Sequence, residues 1–151
     1  MVIYVDADAC PVKDEIYRVA ARNGVTVVVV ANARMRVPED ASVRLEVVSD
    51  GFDAADDWIA EQCGPGDVVV TIDILLAERC LKKGAFVLGH KGAPFTEDNI
   101  GDAVATRGIM ADMRAMGEIR GGPPPFQKKD RGVFSQELEK AVARLNRRRP
   151  A

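Results

Sequence analysis

The chain has 151 residues, 47% of them hydrophobic but only 5% aromatic, and a formal net charge of −2. That length suits one domain with a sizeable, mainly aliphatic core, and no apolar run is long enough to span a membrane. The first residues run straight into a strand, so no signal peptide is expected and a cytoplasmic location is the default expectation.

Val2 to Val5 is a short β-branched run that predicts a buried strand. It ends in two carboxylates, Asp6 and Asp8. Pro11 suits a first helical turn, and the run from Val12 to Ala21 places Ile16, Val19 and Ala20 on one helical face. Two acids therefore sit where a strand hands over to a helix, the place where open α/β sheets bind ligands. In extended geometry both point to one side, and like charges that close call for a cation or a shared proton. A plainer reading makes Asp8 a helix cap and Asp6 a solvated acid, but one cap accounts for only one of them.

Asn23-Gly24 is a helix-stop signal, and Val25 to Val30 predicts a second buried strand ending at Ala31-Asn32. Arg34, Arg36 and Pro38-Glu39-Asp40 form a turn-rich connection to a third strand, Arg44 to Val48. After the turn Ser49-Asp50-Gly51-Phe52, Asp53 is placed to cap a helix from Ala54 to Cys63. Offsets of three and four put Asp56 and Asp57 over Asp53 on a shared face. First-turn acids meet the helix dipole favourably, by about 0.3–1 kcal/mol each. A third on the same face begins to cost repulsion that a cation would relieve.

Gly64-Pro65-Gly66 breaks that helix, and Val68 to Ile72 predicts a fourth strand. It repeats the opening pattern, since Asp73 follows at once and a helix from Ile74 to Lys83 begins there. Asp73 is either an N-cap or the third corner of an acidic site. Ala85 to Leu88 is the fifth strand. A loop from Gly89 to Phe95 carries His90, read as a surface histidine, and Lys91. Thr96 to Asn99 caps a helix that runs to about Met116 and ends at Gly117. Gly121 to Phe126, with three consecutive prolines, predicts a rigid extended connector lying against the domain. Lys128, Lys129 and Arg131 precede a last amphipathic helix with Phe134, Leu138, Ala141, Val142 and Leu145 on one face.

Strands alternate with helices through residue 88. This predicts an α/β fold of three layers in a single domain, 1–151, with a central, mainly parallel five-stranded sheet and C-terminal helices. Charge is unevenly spread. Residues 1–111 hold 11 basic and 18 acidic side chains, and 112–151 hold 10 and 5. An acidic body with a basic extension, from about 118 onward, suits a metal site beside a polyanion grip, and equally a plain charged helix surface. The cysteines Cys10, Cys63 and Cys80 lack paired metal spacing and read as free, packing thiols. Cys10, near a helix start, is placed for a lowered pKa, but has no partner base nearby in sequence.

Asp6-Ala-Asp8-Ala-Cys10-Pro-Val-Lys13 resembles the signature of the YaiI/YqxD family of bacterial proteins. So do Gly51-Phe-Asp53-Ala-Ala-Asp56, Val70-Thr-Ile-Asp73-Ile-Leu-Leu-Ala77, Thr96-Glu-Asp-Asn99-Ile100 and Gly121-Gly-Pro-Pro-Pro-Phe126. That family is grouped with the PIN-like and NYN nucleases, and the resemblance implies a PIN-like sheet with clustered acids binding Mg²⁺ or Mn²⁺. Chemistry points the same way, because hard cations want carboxylate oxygens and a bound cation activates water against a phosphodiester. The candidate metal core is Asp6, Asp8 and Asp73, with Asp53 and Asp56 as further ligands or water-holding acids. The candidate substrate is RNA or another phosphodiester. Lys13 is either a phosphate partner or a solvated lysine, and Asn32 and Asn99 either bind substrate or shape turns.

Two other functions compete. A strand followed by Asp-x-Asp also resembles the first motif of haloacid-dehalogenase-like phosphatases, with Asp6 as nucleophile and Thr71 and Lys91 as later motifs. The acidic pair that group carries after a further strand is missing. The third possibility is a non-catalytic RNA- or ribosome-binding module, disfavoured by the scarcity of aromatic residues for base stacking. Nothing in the pattern sets the oligomeric state.

Overall fold

The computed structural model describes residues 1–8, 10–49, 51, 53–102, 104–106 and 125–148. The helix end expected near Met116 and the connector residues Gly121 to Pro124 lie outside the described residues, as does the turn position Phe52. The elements are β1 (Val2–Asp6), α1 (Lys13–Asn23), β2 (Thr26–Ala31), β3 (Val43–Val47), α2 (Ala54–Gln62) and β4 (Val68–Val70). They continue with α3 (Ile74–Lys82), β5 (Phe86–Leu88), β6 (Pro94–Phe95), helical turns over 97–102 and 104–106, and α4 (Lys128–Arg148).

The sheet order is β3-β2-β1-β4-β5-β6. The five strands expected from the alternation are mutually parallel, and β6 adds a sixth, antiparallel to β5. Expecting Gly89 to Phe95 to be only a loop missed this two-residue edge strand. A proline is tolerated there because an edge strand need not donate on both sides.

Strand alternation divides the core into two. Ile3 and Val5 of β1, with Val27 and Val29 of β2, pack against Ile16 and Val19 of α1 and Phe134, Leu138 and Val142 of α4. Tyr4, Val28, Val30 and Val69 face the other way, onto Ile59 of α2 and Leu76 and Cys80 of α3. The three layers are thus α1 and α4, the sheet, and α2 with α3.

The helix α1 stops where Gly24 takes φ 64°, a left-handed backbone that glycine adopts without strain. The last helix starts earlier than expected, because Lys128, Lys129 and Arg131 belong to its first turns. Gly92, in the turn before β6, must also be glycine. Its φ is 90°, and an added Cβ would lie 2.9 Å from Val133 Cγ1 and 3.1 Å from the Val133 carbonyl on α4.

Candidate functional site

Strands β2 and β3 extend the sheet to one side of β1, and β4 then crosses to the other side. That reversal opens a crevice beyond the carboxyl ends of β1 and β4, where parallel α/β sheets take their ligands. An open cleft of about 420 Å³ lies there, lined by Asp6, Asp8, Asn32, Asp53, Asp56 and Asp73 among others.

Asp6 shares its strand parity with Tyr4, so its side chain faces the α2/α3 layer. The register pairs Val5 with Val70, which makes Asp6 and Thr71 neighbours at the strand ends. The Thr71 hydroxyl donates to Asp6 Oδ2 at 3.0 Å. The same hydroxyl oxygen accepts the Asp73 backbone N–H at 3.0 Å. Both side chains are buried, with Asp6 8% and Thr71 3% exposed. Burial pushes the Asp6 carboxyl above its ordinary pKa, the Thr71 hydrogen bond opposes this, and the charges of Asp8 and Asp73 push it further up.

Asp73 is the N-cap of α3, its Oδ1 accepting from Leu75 N at 2.9 Å and Leu76 N at 3.2 Å. The cap and cleft roles thus coincide in one residue, since Oδ1 carries both cap bonds. Asp8 is exposed and is not the cap of α1, whose N-cap position is Val12 with no side-chain bond.

Asp53 holds the N-cap position of α2 but does not cap with its side chain, contrary to the expectation. It is the one non-glycine among the described residues with a left-handed backbone, φ 62°. Aspartate tolerates that region at modest cost, and such outliers gather where function sets the geometry. Asp56 is half-buried on the cleft face of α2. Burial, then the charges of Asp73, Asp6 and Asp53, raise its carboxyl to about 6, with Arg79 opposing. The expected third acid of that face, Asp57, instead pairs with Arg79 at 2.8 Å and lies outside the cleft lining.

Asn32 does line the cleft while its amide donates to the Ser49 carbonyl at 2.8 Å, tying the ends of β2 and β3 together. Other candidates fall elsewhere. Lys13 Nζ donates to the Cys10 carbonyl at 3.0 Å and lies outside the cleft lining. Asn99 forms a reciprocal cap with Thr96, at 2.9 and 3.2 Å, so its side chain shapes a helix start. Lys91 lines a separate groove with His90 and Ile72. Cys10 is packed against the α1/α4 core, and burial raises its thiol pKa rather than lowering it.

Among the described residues, no three Asp, Glu, His or Cys side chains converge as a ready-made metal cage. A hydrated Mg²⁺ does not require one, because it usually keeps several waters and takes only one or two protein carboxylates. The carboxylate oxygens of the cleft fit a divalent cation of that kind, which would offset the mutual charge that helps raise Asp6 and Asp56.

The family model described as "Uncharacterized BCR, YaiI/YqxD family" matches residues 4–144, nearly the whole chain. The chain belongs to the YaiI/YqxD family. It is 62% identical over 147 residues to a UPF0178 protein of Sphingopyxis alaskensis, covering 97% of this chain and 96% of that one. A UPF0178 protein of Rhodopseudomonas palustris is 55% identical, with 96% and 94% covered, and one of Nitrobacter winogradskyi is 54% identical, with 96% and 92% covered. No solved structure matches the chain.

In this YaiI/YqxD protein, one residue near the acids was not legible as such. His90, remote in sequence, shares a narrow crevice with Asp6, Asp8, Cys10, Thr71 and Ile72. Its ring stacks on Phe126, centroids 5.3 Å apart and 21° from parallel. Burial, and then the charge of Lys91, lower its pKa and favour the neutral imidazole. Phe126 is fixed in turn by Arg131, whose guanidinium lies 5.1 Å over the ring and donates to the Pro11 carbonyl at 2.6 Å and to buried Glu15 at 3.3 Å. The start of α4 therefore braces the loop that carries Asp8. The proline run beside Phe126 was the available signal, read in the sequence as a connector packed on the domain.

Proposed function

We propose that the cleft is the active site of a PIN-like, divalent-metal-dependent phosphodiesterase that cleaves RNA. The observation that carries this reading is the convergence of Asp6, Asp8, Asp53, Asp56 and Asp73 on one open cleft at the sheet's switch point. Mg²⁺ or Mn²⁺, when bound, supplies a Lewis acid and a water of lowered pKa. Asp6 and Asp8 are its first candidate holders, with the free oxygen of Asp73 completing the set. Thr71 fixes Asp6 in position and, through the Asp73 N–H, fixes the start of α3 at the same time. Asp56, with its carboxyl at about 6, is suited to accept a proton from the attacking water near neutral pH. Asn32, held by the Ser49 carbonyl, forms part of the cleft wall, where substrate would lie.

One observation favours a second reading. The Thr71 hydroxyl on Asp6 is also what a phosphatase using Asp6 as nucleophile would need, but that chemistry gives Asp53 and Asp56 no task. The separating experiment assays cleavage of single-stranded RNA and turnover of small phosphomonoesters with Mn²⁺, in wild type, Asp6→Asn and Asp53→Ala. RNA cleavage lost in both variants, with monoester turnover at background, supports the nuclease. Monoester turnover together with a beryllium fluoride adduct on Asp6, read by fluorine NMR and intact mass, overturns it.

A further inference from the structure

Beside the acidic cleft lies a second concavity of about 220 Å³, lined by Ile72, Ile74, Gly89, His90, Lys91, Ala93 and Phe95. Its walls are almost entirely apolar, in contrast to the carboxylates next door. The two adjoin through shared lining residues. Ile72 lines the cleft, the narrow crevice and the groove; Asp6 and Asp8 line the first two, and His90 the last two. Ile72 is 42% exposed although the strand before it is fully buried. An isoleucine standing in solvent between an acidic site and an apolar groove is poorly explained by packing alone.

We propose that this groove is a base-binding subsite for single-stranded polynucleotide, seating one nucleobase next to the phosphodiester in the cleft. The inference rests on the nuclease reading of the cleft and adds to it the part of the substrate held beside the reacting phosphate. The size decides between occupants. Pockets for drug-sized ligands run to roughly 300–1,000 Å³, so this groove suits one planar ring system rather than a whole cofactor. The lining supplies two aromatic rings, His90 and Phe95, and the aliphatic faces of Ile72 and Ile74, the surfaces on which bases stack without regard to sequence. Its position beside the cleft fits as well, because a base and its own phosphate must occupy adjoining sites. A duplex cannot present a base in this way, so the groove selects unpaired strands. The His90 ring is held by its stack on Phe126, and the turn that carries it is clamped where Gly92 meets Val133 of α4, so the groove wall is built in advance of binding.

The test uses an RNA decamer and a set of the same decamers with one abasic nucleotide at each position in turn, assayed for kcat/KM with Mn²⁺. Wild type is expected to lose roughly 10-fold at one abasic position near the cleavage point. Ile72→Ser, at an exposed position, is expected to lose a similar factor on the intact decamer and nothing further on that abasic one. Val47→Ser, equally exposed but on the opposite sheet edge, should match wild type. A 2-aminopurine at that position should be quenched on binding to wild type and not to Ile72→Ser. If Ile72→Ser cleaves the intact decamer as wild type does, or its loss multiplies with the abasic loss, the subsite is overturned while the nuclease stands. If wild type cleaves no RNA, the reading of the cleft falls and the subsite falls with it.

Discussion

Asp56 offers the sharpest test of the electrostatics of the cleft. Its carboxyl is raised from 3.8 to about 6 by burial and by the charges of Asp73, Asp6 and Asp53. A carboxyl whose pKa is higher in the folded protein contributes stability below its unfolded value, and that contribution is lost as pH rises through the folded one. The window here runs from about pH 4 to about pH 7. At 1.36 kcal/mol per pKa unit the ceiling is about 3 kcal/mol. The cleft is open to solvent, so screening reduces this to on the order of 1 kcal/mol. Asp56→Asn removes the charge and keeps the shape. In metal-free buffer it should raise the melting temperature by about 2–4 °C at pH 8 and leave it unchanged at pH 4. Thermal melts across that range, with EDTA present, measure the difference. Saturating Mg²⁺ or Mn²⁺ at pH 8 should stabilise wild type more than the variant, since the cation then relieves the same repulsion. A melting difference that does not change with pH, or none at pH 8, would refute the claim that the cleft carboxylates repel one another.

Other variants separate structural from chemical roles. Asp73→Asn keeps a good helix cap and should melt near wild type, whereas Asp73→Ala should cost about 0.5–2 kcal/mol; both should lose Mn²⁺-dependent RNA cleavage. If Asp73→Asn retained cleavage, Asp73 would be a cap and nothing more. Thr71→Val strands the Asp73 N–H and leaves Asp6 without its donor, so it should destabilise by about 1–3 kcal/mol and impair cleavage, and chemical denaturation reads the first effect directly. Removing the basic residues from Arg147 onward should weaken retention of single-stranded RNA and flatten its salt dependence. No retention by wild type even at low salt would deny the C-terminal arginines any part in RNA binding.

What could be read from the sequence was what local chemistry decides. The strand β1 and its two acids, the helix stop at Gly24 and the cap at Asp73 each depend on neighbours within a few residues. The parallel sheet followed from alternation alone. What escaped depends on partners far along the chain. Helical offsets place Asp56 and Asp57 equally well over Asp53, and only Arg79, 22 residues beyond Asp57, draws one of them away. The strand β6 needs the turn before it to be pressed against α4, which no short window contains. A position near a helix start places the packing thiol of Cys10 for a lowered pKa, but burial raises it instead. The sequence marks Thr71 as a later phosphatase motif and as part of the string Val70-Thr-Ile-Asp73, whereas its place beside Asp6 comes from strand register.

The brace between Phe126, Arg131 and the loop after β1 bears on how the protein is made. The strand β1, which precedes the other described strands in the chain, lies in the middle of the sheet, and one of its faces is covered by Phe134, Leu138 and Val142 of α4. A ribosome therefore releases Asp6 and Asp8 long before their surroundings can close. Until α4 emerges, the nascent chain has neither the full core behind β1 nor the clamp on its acidic loop. The acidic cleft is thus completed only once α4 has left the ribosome.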